Sequence, residues 1–168
     1  MIASFVRGID RFNTWVGKGV RWLVLAVIFI LLYDAVSRYA FNSPTSWATE
    51  GSQFIMGAYF LLGGGYALLR GAHVRMDIVY AKWSPRKRAI ADLATFSLFA
   101  IYCIALIWNS GDHAIRSFLT NEHSTSMWGP PVYPIKITLT VGAFLLLLQG
   151  TAFFIRDLFI TFAGKTLE

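Results

Sequence analysis

Charge is what this sequence most lacks. Only 14% of its 168 residues are Asp, Glu, Lys or Arg, against roughly 25% in a soluble domain. Cysteine occurs once, as Cys103 inside an apolar run, so no internal disulfide can form and the redox compartment is not readable from it. Histidine occurs three times, at His73, His113 and His123, always in connections between apolar runs. A metal centre needs several converging His, Cys or carboxylate ligands. A haem-binding membrane anchor needs axial ligands within its helices, most simply paired histidines. The sequence offers neither set. No phosphate-cradling loop follows a strand, and no nucleophile motif is present. Neither an enzyme nor a bound cofactor is expected.

Apolar surface is what the sequence has in excess, at 56% of residues. Four runs, Trp22–Ala40, Trp47–Leu69, Ala89–Trp108 and Ile135–Ile155, approach the roughly 20 residues that a bilayer core demands. The expected fold is a single all-α membrane domain over 1–168, with spans at about 22–41, 47–70, 86–110 and 134–156. The first run is read as a retained helix, not a cleaved signal, because no small-x-small site follows it cleanly. The formal net charge of +6 is first a statement about topology. Arg7, Arg11, Lys18 and Arg21 precede the first span. Arg70, Arg75, Lys82, Arg86, Lys87 and Arg88 lie between the second and third. The other two connections keep only Arg38 and Arg116, with Lys136 at an edge. Positive residues stay cytoplasmic, so both termini are expected there. The basic segments are explained this way, and nucleic acid is not an expected partner.

Two segments read as amphipathic helices lying in the inner interface. In the first, Ile2, Phe5, Ile9, Phe12 and Val16 recur at helical spacing while the charges fall largely elsewhere; a frayed basic tail is the alternative. In the second, within "RGAHVRMDIVYAKWSPRKR", Met76, Val79, Tyr80 and Trp83 form an apolar stripe whose basic neighbours would meet lipid phosphates. Gly71 suits a helix C-terminus and Arg70 complements its dipole. Ser84 and Pro85 suit the N-cap and first position of the third span. Gly63, Ala67 and Gly71 recur every four residues, a face that lets another helix approach closely. Packing within the bundle and a subunit interface both use that face. The connection Gly111–Pro134 is expected to be the longest; its clustered prolines and glycine break helix, although the third helix can first run on past Trp108. The last span carries Gln149 and is expected to fray into a short amphipathic end, "RDLFITFAGKTLE".

"RYAFNSPTSWATE" lies between the first two spans, on the expected outer side. If "NSP" is the turn and Ser46 the N-cap, Arg38 and Glu50 each sit about one turn inside a helix end, at similar depth. Asp34 shares a helix face with Arg38. The three can form one charge cluster, each terminal group complementing its helix dipole. Trp47 and Tyr39 suit the aromatic belt. Charge at this depth is costly unless paired. A structural clasp and a docking or transport site both answer that cost. At mid-depth the chain is almost bare, with Gln149, Asn109 and the glycines the exceptions. That suits a part of an assembly better than a transporter working alone. A homo-oligomeric proton-coupled transporter using Asp34 or Glu50, and a redox membrane anchor, stand as rivals.

"DAVSRYAFNSPTSWATE", "LLRGAHVRMDIVY", "SPRKR" and "LLLLQ" together, from about Val24 to Gln149, resemble the small membrane subunit of the tripartite ATP-independent periplasmic (TRAP) transporters. The Arg38-Tyr39-x-Phe41-Asn42 segment with Trp47 and Glu50 is the most specific part, followed by Arg70-Gly71-x-His73-x-x-x-Asp77. Family members often carry two adjacent acids where this chain has Thr49 and Glu50, so no role for a carboxylate pair is carried over. The resemblance implies a bacterial inner-membrane uptake system with three parts. A periplasmic solute-binding protein delivers a solute, usually an organic acid. A large membrane subunit moves it inward with sodium and holds the substrate and sodium sites. The small subunit is a non-catalytic scaffold beside the large one. Asp34, Arg38, Trp47, Glu50, Arg70, His73 and Asp77 are then candidates for structural or docking roles.

Overall fold

The computed structural model describes residues 2–72 and 85–163. The expected surface helix around Met76 to Trp83, together with His73, Asp77 and the Ser84 cap, lies outside them. Among the described residues five helices follow in order: α1 Ile2–Val20, α2 Leu23–Ala40, α3 Ala48–Leu69, α4 Pro85–Leu119 and α5 Tyr133–Ala163. Among the described residues there is no strand, only an isolated bridge between His123 and Pro131. Four stretches of the described residues are long and apolar enough to cross a membrane: Ala3–Ala40, Ala48–Leu69, Leu93–Leu119 and Tyr133–Phe159.

α2 and α3 form one antiparallel hairpin and α4 and α5 another. α5 is central, touching α4, α3 and α1, while α2 packs mainly on α3. The position of α2 explains its surface. Only Val27 is buried, while Leu25, Ile28, Phe29, Leu31, Leu32 and Val36 are exposed. An apolar display this large would be an aggregation hazard in water, whereas lipid tails solvate it.

The helix ends follow local rules. α3 stops in a Schellman motif: Ala72 N–H reaches Ala67 O at 3.0 Å and Gly71 N–H reaches Leu68 O at 3.1 Å, with Gly71 at φ +67°. Gly71 thus ends the helix as expected. α4 ends in the same way. Asn121, at φ 48°, takes the left-handed position, and Glu122 N–H bonds Ser117 O at 3.0 Å. α4 thus runs on past Trp108 and ends at Leu119, before the prolines are reached. The connection is 120–132, shorter than the expected Gly111–Pro134. Asp112 and Arg116 pair on the helix at 2.8 Å, four residues apart. At the other boundary, Ser46 is not the N-cap of α3. Trp47 takes that position with no side-chain cap bond. α5 continues past Ile155 to Ala163, and Arg156 in that stretch is held by Asp10 of α1; the rest of the expected frayed end, 164–168, lies outside the described residues.

α1 is a helix, and it packs on the bundle through a face that shares Ile9 with the apolar stripe. Phe5 and Phe12 are exposed, whereas Val6, Ile9, Asn13, Gly17 and Val20 are buried against α3 and α5. Val6 and Ile9 meet Ala152, Leu148 and Ile155. A Cβ on Gly17 would lie 2.3 Å from the Tyr66 ring. The neighbouring bundle has grooves for small residues, and these select the face carrying Asn13 and Gly17 over the greasier one.

Candidate functional site at the joined helix ends

The α2–α3 and α4–α5 connections meet at one end of the bundle. α2 finishes with Asn42 at φ 47° and Ser43 N–H bonded back to Ser37 O at 3.0 Å. This turn carries Thr45 back over the last turns of α2. Asp34 accepts from the Thr45 hydroxyl, from Thr45 N–H at 3.3 Å, and from Arg38 Nη2 at 2.9 Å. The Asp34 side chain is only 14% exposed and that of Arg38 48%. The carboxylate is therefore the enclosed member of the pair, and the guanidinium keeps open surface.

Glu50 does not join this group. It accepts a hydrogen bond from the Ser126 hydroxyl in the α4–α5 connection, and Ser126 in turn accepts from Gly129 N–H at 3.0 Å. The structure thus divides the expected three-residue cluster. Asp34 and Arg38 close the α2–α3 turn, and Glu50 ties the two hairpins together. The cause is the direction of the first turn of α3, which faces the second connection. Trp47 stacks on Tyr33 with ring centroids 5.9 Å apart. Gly51, one turn on, lies between Trp47 and Trp128, each 3.8 Å from where its Cβ would be. Two indoles therefore roof the start of α3.

The second connection is braced as well. Ser124 N–H bonds Pro130 O at 2.9 Å and Val132 N–H bonds Glu122 O at 3.0 Å. The Glu122 side chain pairs with Lys136. The Lys136 ammonium donating to it holds the Glu122 carboxyl below the usual carboxylate range. Met127 stands out from this loop almost wholly exposed. Thr45, Ser126, Glu122 and Lys136 went unnoticed as site residues in the sequence. Each pairs with a group 11 to 76 residues away, which no local spacing announces.

At the opposite end of α3, Arg70 donates to the Tyr66 hydroxyl at 3.0 Å and lies over its ring. Gly63 and Ala67 line an open groove of about 420 Å³ with Gly17, Val20, Arg21, Tyr59 and Phe60. Among the described residues, a Cβ added to Gly63 or Gly71 meets nothing within 4 Å. Of the two uses the sequence left open for this stripe, packing inside the chain is therefore taken by other residues: Gly57, Gly64 and Gly65 meet Ile135, Leu146, and Asn13 with Leu145.

The polar residues deeper in the bundle bind one another. Gln149 is fully buried: it accepts from Asn13 Nδ2 at 2.9 Å and donates to Asp10 Oδ1 at 2.9 Å, and Asp10 also holds Arg156. Thr140 donates to Ser110 at 2.9 Å between α5 and α4. Among the described residues, no three His, Cys, Asp or Glu side chains come together as a metal site would require.

An all-helical chain with four membrane-length apolar helices, packed into two joined hairpins, defines a multi-pass membrane protein. Comparison with known families names the kind. The chain belongs to the family described as tripartite ATP-independent periplasmic transporters, DctQ component, whose model matches residues 27–159. It is therefore a small membrane component of such a transporter. No individual curated protein matches the chain in sequence.

Proposed function

We propose that this chain is the non-catalytic scaffold of a sodium-coupled uptake system for an organic acid, seated in the bacterial inner membrane with both termini cytoplasmic. It stands beside a large membrane subunit that holds the substrate and sodium sites, and a periplasmic binding protein delivers the solute. One observation carries the reading. Gln149, the polar group nearest the middle of α5, is sealed between Asn13 and Asp10, so it braces helices and offers nothing to a passing solute. Asp34 and Glu50, one or the other of which a proton-coupled rival would use, are likewise engaged, by Arg38 and Thr45 and by Ser126.

In this reading the joined helix ends face the periplasm. Arg38 and the Met127–Trp128 loop tip present docking surface, while Asp34, Trp47 and Glu50 hold it in shape. The open groove along Gly63 and Ala67 takes a helix of the large subunit. Arg70, and with it His73 and Asp77 beyond the described residues, belongs to the cytoplasmic anchoring region. The test is copurification and uptake with the large subunit and binding protein expressed alongside. Arg38→Ala and Glu50→Ala should each lower uptake or recovery of the complex. Unchanged recovery together with unchanged uptake rejects the docking role. Solute transport by the chain alone in liposomes rejects the scaffold.

A further inference from the structure

α1 has three sides, and the described part of the bundle uses one of them. Val6, Ile9, Asn13, Gly17 and Val20 face α3 and α5. At about 100° per residue, Arg7, Arg11 and Lys18 gather on a second flank, and Phe5, Phe12 and Trp15 spread along a third. Trp15 is 74% exposed and Phe12 47%. Arg11 and Lys18 stand four and three residues either side of Trp15, so two cations bracket one indole on a shared surface. Together with Gly8, Phe12 and Thr14 they line an open depression. Among the described residues neither Arg11 nor Lys18 has an ion-pair partner.

The place of this depression in the fold matters. α2 starts at Leu23 and its 18 residues rise about 27 Å, close to the roughly 30 Å hydrocarbon thickness. The α1–α2 junction at Arg21 and Trp22 therefore falls at one edge of the hydrocarbon, and the depression lies within a few turns of it. Cations with aromatic rings at that level match a lipid headgroup above its acyl chains.

We propose that the depression between Arg11 and Lys18 binds the headgroup of an anionic phospholipid. The two cations hold its phosphate, and Trp15 and Phe12 lie against the glycerol and the first acyl carbons. Free phosphate would use the cations and leave the rings idle. Asp10 and Asn13 couple α1 to Gln149 and Arg156, so a lipid held here braces α5 as well. The inference rests on α1 alone and stands or falls apart from the scaffold reading.

The test places the full chain in nanodiscs containing phosphatidylcholine and phosphatidylglycerol, with bromine on the acyl chains of one lipid or the other. The part of the tryptophan quenching lost in Trp15→Phe reports the lipid beside α1. Because both leaflets carry the same mixture, the result does not depend on topology. Brominated phosphatidylglycerol should quench Trp15 more than brominated phosphatidylcholine at equal mole fraction. Arg11→Gln with Lys18→Gln should cut that preference about tenfold while helicity stays constant, and excess inorganic phosphate should leave it intact. Equal quenching by the two lipids, or a preference that survives the double substitution, overturns the proposal. So does displacement by inorganic phosphate, which would mark a free-anion site. Shielding of Trp15 from both lipids in a complex with the large subunit would mark a protein-covered face and overturn it too.

Discussion

α3 presents two glycine-bearing faces, and they serve opposite ends. On one, Gly57, Gly64 and Gly65 are pressed against α5 and α1. The approach is so close that a Cβ at Gly65 would sit 2.4 Å from Asn13 Oδ1 and 3.1 Å from the Leu145 carbonyl. α5 answers with Gly142, whose Cβ would lie 2.5 Å from the Leu61 carbonyl oxygen. On the other face, Gly63 and Ala67 border open space. Lipid gives helices no hydrophobic reason to associate, so close backbone contact is what holds such bundles together. The closed face spends its glycines on this chain's own fold. The open face has the same chemistry and, among the described residues, borders a groove between α1 and α3.

Substitution on the closed face should give the largest effect. Gly142→Val drives a side chain into backbone atoms that cannot rotate away, so α3 and α5 must separate. A loss on the order of 1–3 kcal/mol or more is expected, read as a lower unfolding midpoint in detergent. Gln149→Leu comes next. It strands the Asn13 amide and removes a donor from Asp10, at about 1–2 kcal/mol. In a cycle with Asn13→Ala the two losses should be less than additive; full additivity would show that the buried hydrogen bond contributes nothing.

Gly63→Leu sharpens the contrast from the other side. The stability of the isolated chain should move by less than about 0.5 kcal/mol, while recovery of the large subunit falls. A folding defect of the size of Gly142→Val would erase the distinction between the faces. The smallest effect belongs to Glu122 and Lys136. Glu122 titrates below its ordinary value, so its contribution is complete above about pH 4.3 and is lost as pH falls through the lower folded value. Glu122→Gln should flatten the acid side of the thermal-midpoint profile slightly. An unchanged profile would show that this exposed pair adds nothing.

Much of the candidate site was legible. The Asp34–Arg38 pair follows from a spacing of four on one helix, and Gly71 at the end of α3 from its freedom to adopt positive φ. Grouping Glu50 with that pair was not correct. Depth along a hairpin says how far a residue lies from the surface, not which way its helix turns it, and α3 turns Glu50 toward Ser126. The face that α1 turns to the bundle is a separate matter, because the sequence reading placed only its apolar stripe, at the membrane interface. Periodicity ranks faces by greasiness, yet the chosen face carries Asn13, because Gln149 lacked a partner and Gly65 left room.

By itself the sequence determined four membrane-length helices and the scarcity of polar groups at their centres. Segment length and transfer energy are local sums over consecutive residues. The quoted motifs, from Arg38 to Glu50 and around Arg70, already carried the likeness to the family that the model match over 27–159 establishes. Only the tertiary structure decided which glycines close and which stay open, and which polar residues find one another. Those outcomes depend on helix rotation, and rotation is set by shape complementarity between segments as far apart as Asp10 and Arg156.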